Sequence, residues 1–193
     1  LGIGALFART IWTIRNDEWS YAAQTNANLA RTLEQGLAWS LDSFDKSLER
    51  VSREVARPEV WALPPDLRAR VVFDNSLRAR GAGDVLVLDA QGNVILDSGS
   101  LVPRKANFAD RDYFLAFREQ GQQGLFFGKP VPSRVTGLNI LPISRAYYHS
   151  DGSFAGVVVG AIRLSYFKEL FGSLELGNNS GINLFRQDGD RKS

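Results

Sequence analysis

Three arginines carry the most chemistry in this sequence. Arg111 sits in an Asp110-Arg111-Asp112-Tyr113-Phe114 run, Arg134 in the segment Pro130 to Gly137, and Arg145 in a strand-like stretch, Leu138 to Tyr148. A guanidinium presents forked donors that fit a carboxylate or a phosphate through two parallel bonds. Around these arginines, Tyr113, Tyr147 and Phe127 offer apolar walls and hydroxyl donors, and Ser133, Thr136 and Ser144 offer a polar rim. The β-rich stretch Phe154 to Leu164 contains no acid to balance the arginines. The surplus positive charge favours an anion, and a small carboxylate is the predicted ligand. Each residue also has an ordinary reading. Arg111 can pair with a flanking aspartate, Arg134 and Arg145 can be solvated, and Tyr113 and Phe114 can be core aromatics.

Other chemistries are poorly supplied. There is no cysteine, so disulfides, thiolate catalysis and thiolate metal sites are excluded together. The one histidine, His149, falls in a Tyr-Tyr-His-Ser-Asp-Gly turn, which leaves no base beside a nucleophile and no His-rich metal site. No Gly-rich phosphate loop stands between a strand and a helix. A non-catalytic chain without a cofactor is therefore expected. The 23 basic residues against 21 acidic ones give a net charge of +2 without a basic run, so no nucleic acid is expected as a partner. At 44% hydrophobic and 23% charged, the 193 residues have a globular composition.

The elements that must position these residues follow from periodicity. From Thr10 to Val55, apolar residues recur every three or four positions (Leu29, Leu33, Leu37, Leu41, Phe44, Leu48, Val51, Val55), which predicts one long helix. About 45 helical residues would extend about 65 Å, longer than a small domain is wide. Such a helix connects modules or pairs with a copy of itself, unless it breaks near Gly36 and packs on the sheet. A short helix is predicted over Asp66 to Arg80, and a hairpin over Asp84 to Asp97 turning at Asp89–Asn93. A loop follows from Ser98 to Asn107, then a helix within Phe108 to Gln120 and a strand at Leu125 to Gly128. The long strand Leu138 to Tyr148 contains Pro142, which points to an edge or a bulge. A tight turn at Ser150–Ser153, the strand Phe154 to Leu164 and an amphipathic helix Ser165 to Leu174 complete the series. Consecutive antiparallel strands with helices at their side define an α+β class.

Leu1 to Ala8 is apolar but shorter than the roughly 20 residues that span a bilayer. With Trp12, Trp19 and Tyr21 behind it, it reads as the end of a transmembrane segment or a leader. The chain has no methionine, and Gly181 to Gly189 repeats the strand-then-turn pattern of Val85 to Gly92, so a piece of a longer protein is expected. The expected divisions are 1–8 as that membrane end or leader, 9–57 as a signalling helix, 58–176 as a ligand-binding module, and 177–193 as the start of another module.

Several motifs together are familiar: Leu86, Asp89 and Gly92; Asp97-Ser98; Asn107 to Phe114; Pro130, Ser133-Arg134 and Thr136-Gly137; Ile143-Ser144-Arg145; Asp151 to Val158; and Tyr166-Phe167. Over roughly Asn28 to Gly189 the chain resembles the extracytoplasmic double Cache (PAS-like) sensor domains of bacterial transmembrane signalling proteins. Its wording is most similar to the sensors of GGDEF diguanylate cyclases and of some histidine kinases. The resemblance implies a PAS-like antiparallel sheet that holds a small ligand and a long helix that leaves the membrane. It also implies a second, membrane-proximal module and a cytoplasmic output domain, with a chemoreceptor as a further alternative, and the long helix is expected to form a homodimer. Amino-acid-binding members carry an aspartate where Ala161 stands and a tyrosine where Ala106 stands, so the resemblance does not extend to an α-amino acid. A dimerisation or structural module without a ligand is the rival of a different class.

Overall fold

The computed structural model describes residue 31 and residues 34–73 and 82–172. Leu1 to Ala8, the aromatics at 12, 19 and 21, the helix expected beyond Phe73 and the strand expected at Gly181 lie outside the described residues.

The chain divides into two compact units, residues 1–45 and 46–193. Helix α1 is continuous over residues 34–55, and the division falls inside it. Gly36 does not interrupt it: Ser40 Oγ donates to the Gly36 carbonyl at 2.9 Å within the first unit. In the second unit α1 buries Leu48, Val51 and Val55. Two proline-initiated helices follow, α2 at Pro58–Trp61 and α3 at Pro65–Val72. Proline suits the first helical position, where its absent N–H would have had no partner. Arg50 Nη2 donates to the Val72 carbonyl and Trp61 Nε1 to the Val55 carbonyl, which ties α1 to this pair.

The remaining described residues form one antiparallel sheet with a single helix inserted in its sequence and another after its last strand. The strands are β1 (Ala82–Asp89), β2 (Val94–Asp97), β3 (Phe126–Phe127), β4 (Val131–Pro132), β5 (Asn139–Tyr148) and β6 (Phe154–Arg163). They lie in the order β2-β1-β6-β5-β3, with β4 also pairing β5. Helix α4 (Asp112–Arg118) falls between β2 and β3, and α5 (Leu164–Gly172) follows β6. This is the α+β architecture the sequence predicts. Register decides which side chains share a face. Leu86, Leu88, Val157 and Val159 pack with Phe108, Tyr113, Phe114 and Phe117 in one cluster under α4. Their neighbours along the strands, Val85, Val87, Val158 and Ile143, point to the other face and are also fully buried. Both faces of β6 are thus covered, which is why it reads as an unbroken apolar run instead of an alternation.

Pro142 lies in β5, an inner strand, and is fully buried. Its carbonyl accepts from Gly128 N at 2.9 Å, so its nitrogen faces the same side, where β3 has ended and β4 has not begun. The missing N–H therefore falls where the edge pairing breaks. A second local device is Gly156, at φ 151, where an added Cβ would lie 1.9 Å from the Leu88 carbonyl oxygen. Only glycine lets β6 approach β1 there, and the Tyr147 ring packs over the gap, with its hydroxyl donating to the same carbonyl at 3.1 Å.

Candidate ligand-binding site

The site is built from two loops laid over one end of the sheet. The first runs from Asn107 to Arg111 and is anchored on the β1–β2 turn. Asp89 accepts from the backbone N–H groups of Gln91 and Asn93, closing that turn. Asn107 Nδ2 donates to the Gln91 carbonyl and to Asn93 Oδ1, both at 2.9 Å, and Phe108 N donates to the Gly92 carbonyl. Gly92 has φ 82, and an added Cβ would come within 2.6 Å of Ala109 N, so the loop can lie on the turn only over a glycine. Arg111 caps α4 in an extended conformation, φ −81 and ψ 142. The helix predicted to start at Phe108 begins at Asp112 because this anchored loop occupies the first four positions.

The second loop, residues 133–137, is a tight turn. Gly137 N donates to the Ser133 carbonyl at 2.8 Å, and Ser133 Oγ accepts from Val135 N and Thr136 N. Arg134 reaches from it to the first loop. Its guanidinium donates to both oxygens of Asp110, at 2.7 and 2.6 Å, and to the Asn107 carbonyl at 2.8 Å. It also lies 5.8 Å over the Phe108 ring.

Beneath the two loops is a cavity of about 200 Å³. Its apolar lining includes Leu86, Phe108, Val131, Val135, Leu138 and Val159, and its floor includes Gly83, Gly160 and Ala161. Among the predicted site residues, Arg111, Tyr113, Ser133, Arg134 and Thr136 line it. Phe127, Ser144, Arg145 and Tyr147 do not, and the reason is parity. Phe127 pairs with Ile143, and Ile143, Arg145 and Tyr147 alternate onto the sheet face away from α4. Arg145 instead borders a shallow recess with Gln122, Gln123 and Tyr148. Ser144 is on the correct face but lies under α4, wholly buried, with its hydroxyl donating to the Tyr113 carbonyl at 3.2 Å.

Two charged lining residues were not among those predicted, Asp84 and Arg163. Asp84 lies in a β-bulge, where Gly83 and Asp84 together oppose Ala161. Arg104 holds it: Nη2 lies 2.6 Å from Asp84 Oδ2, and the same guanidinium also pairs with buried Asp97. Arg163 extends the Val157-Val159-Ala161 face of β6, an alternation visible in the sequence once the direction of that face is known.

The electrostatics divide the arginines. Hydrogen bonds from Arg134 hold the Asp110 carboxyl at about 2, below its ordinary 3.8. Burial pushes the Tyr113 hydroxyl well above its ordinary value, so it remains a neutral donor. Arg111 differs from Arg134. It donates to the Pro132 carbonyl at 3.3 Å, and its buried Nε has no hydrogen-bond partner. Among the described residues, Arg111 has no acid within ion-pairing distance, and no group of acids or histidine is arranged to hold a metal. The arrangement is an apolar cleft with guanidinium and hydroxyl donors at its wall, suited to holding a small anion. It has no nucleophile with a base.

A model of the Cache domain matches residues 13–191. No curated protein matches the chain. Among solved structures, the extracellular domain of rpHK1S-Z16, which carries the name of a histidine kinase, superposes with a TM-score of 0.63 at 26% identity, covering 80% of this chain and 64% of that one. The ligand-binding domain of the Campylobacter jejuni chemoreceptor Tlp3, in complex with 4-methylisoleucine, gives 0.55 at 16% identity, over 72% of this chain and 56% of its own. That of the Pseudomonas aeruginosa PAO1 amino acid chemoreceptor PctC, in complex with GABA, gives 0.55 at 19%, over 70% and 60%. The chain thus spans less than two thirds of the length of each of these structures. A family model covering nearly the whole sequence, on a PAS-like sheet with a cleft under two loops, leads to one conclusion: this chain belongs to the Cache domain family of non-catalytic, ligand-binding sensor domains.

Proposed function

We propose that this chain is an extracytoplasmic sensor whose cavity binds a small carboxylate. The observation that carries the reading is Arg111. Its guanidinium lines the cavity with a buried Nε that has no acceptor, and a buried donor without a partner costs about 1–3 kcal/mol. A carboxylate would supply that acceptor and could take two parallel bonds from the fork. Tyr113 would donate its neutral hydroxyl, Ser133 and Thr136 would complete the rim, and Arg134 would contribute field while holding the second loop shut. An α-ammonium has little to meet here: Ala161 offers no acid, and Asp84 is already engaged by Arg104.

For transmission, the reading is that ligand binding biases the packing of the sheet on α1. The helix would carry that bias towards a membrane segment and an output domain, within a homodimer. The resemblance in the sequence points to a diguanylate cyclase output. A histidine kinase is favoured instead by the 26%-identical neighbour bearing that name. Calorimetric titration with a panel of monocarboxylates, dicarboxylates, amines and neutral sugars tests the ligand. Carboxylate binding that disappears in Arg111→Ala is expected, whereas binding of amines or sugars alone overturns the reading. Assaying the full-length protein for cyclic dinucleotide synthesis and for autophosphorylation separates the two outputs.

A further inference from the structure

We infer that the cavity takes a ligand with two anionic groups, a short dicarboxylate, and that Arg163 forms the second subsite. The inference rests on the carboxylate reading above and deepens it. Four guanidiniums stand at or beside the cavity, and they are not equivalent. Arg134 is committed to Asp110 and the Asn107 carbonyl. Arg104 is committed to Asp84 and Asp97. Arg111 has one carbonyl contact and an unpartnered Nε. Arg163 lines the cavity with its side chain exposed and, among the described residues, has neither an ion pair nor a hydrogen bond. Two of the lining arginines therefore lack an acid partner.

Their setting favours two separate charges over one. Arg163 projects from the same face of β6 as Ala161 and Val159, about 7 Å along the strand from Ala161. Between it and the loops the floor is made of Gly83, Gly160 and Ala161. The Gly83 and Ala161 positions are close enough that a Cβ on Gly83 would stand 3.3 Å from that of Ala161, so neither strand raises bulk into the passage. The one lining carboxylate, Asp84, is already neutralised by Arg104 at 2.6 Å. A molecule gripped by Arg111 at one end would thus cross an apolar, low floor and present its other end to an uncompensated cation. A hydrocarbon tail would leave Arg163 where it is. A second carboxylate would pair with it.

The test is isothermal titration of the 193-residue chain with succinate and glutarate against butyrate and valerate, matched in carbon number. The dicarboxylates are expected to bind about tenfold tighter or better. Arg163→Gln is expected to reduce them to the affinity of the monocarboxylates and leave the monocarboxylates unchanged, which separates a lost subsite from a lost fold. Equal affinities in the native chain, or a dicarboxylate advantage that survives Arg163→Gln, overturn the inference while leaving the carboxylate reading standing. If neither class binds, the reading and the inference fall together.

Discussion

Arg134 grips Asp110 by both carboxylate oxygens, at 2.7 and 2.6 Å, across a gap of 24 residues in sequence. The pair joins the only two loops that roof the cavity among the described residues. It is therefore a fastening of the site before it is a candidate contact with ligand.

Weakening that fastening should loosen the roof more than the fold. The pair is largely exposed, so Asp110→Asn is expected to cost on the order of 0.5 kcal/mol of stability. Asp110 has a folded pKa held below its unfolded value of about 3.8, so its contribution is full above that pH and is lost as the pH falls through about 2. Chemical unfolding at pH 7 and in acid should show a native-to-variant difference that shrinks towards pH 2. A difference that persists there would mean the pair is not its source.

Arg111→Leu should separate binding from folding. It removes a buried nitrogen that has no partner together with one long, exposed bond to the Pro132 carbonyl, so the unfolding free energy should stay within about 0.5 kcal/mol of native or rise. Stabilisation by carboxylate should vanish. In the same thermal-shift experiment Arg145→Ala serves as a comparison, because its side chain issues from the opposite sheet face, and the ligand response should be retained. Equal losses in both variants would deny Arg111 its role.

Gly156→Ala should be severe. The added methyl would sit 1.9 Å from the Leu88 carbonyl oxygen at a φ that side chains rarely adopt, and a cost on the order of 3 kcal/mol or more is expected. Urea unfolding of the variant measures it. A midpoint near native would show that β1 and β6 can separate at this point without penalty.

Tyr147 and Tyr113 give the protein an alkaline limit. Burial raises both folded pKa values above the ordinary 10, so the unfolded chain releases these protons first. The stability tied to the neutral hydroxyls is present below about pH 10 and declines as the pH rises beyond it. Tyr147→Phe should lower stability at pH 8 by about 1 kcal/mol through the lost bond to Leu88 and should flatten the decline above pH 10. Urea midpoints at pH 8, 9.5 and 11 would show both effects, and an unchanged slope would assign the alkaline loss elsewhere.

Most of the architecture could be read from periodicity. The hairpin turning at Asp89–Asn93, the β5 and β6 strands and the order of elements all follow from alternation and from turn residues whose chemistry is local. The site was half legible. Arg111, Ser133, Arg134 and Thr136 sit on loops whose position depends on nearby turns, and they reach the cavity. Arg145, Tyr147 and Phe127 needed the β5 register, and a strand displaced by one residue exchanges its faces entirely. Asp84 was hidden by a bulge, which sequence alternation cannot reveal, and Arg163 by its place at the last residue of a strand that reads as pure hydrocarbon.

The rim beyond β5 has a consequence for how copies of this protein can meet. Its outer strands are two residues each, interrupted by Gly128 to Pro130, and prolines at 130 and 132 withhold two amide donors along that border. A neighbouring molecule cannot extend the sheet by zipping a strand onto so discontinuous a margin. The fold thereby resists fibrous stacking on that side, which leaves β2 as the sheet's longer edge strand among the described residues.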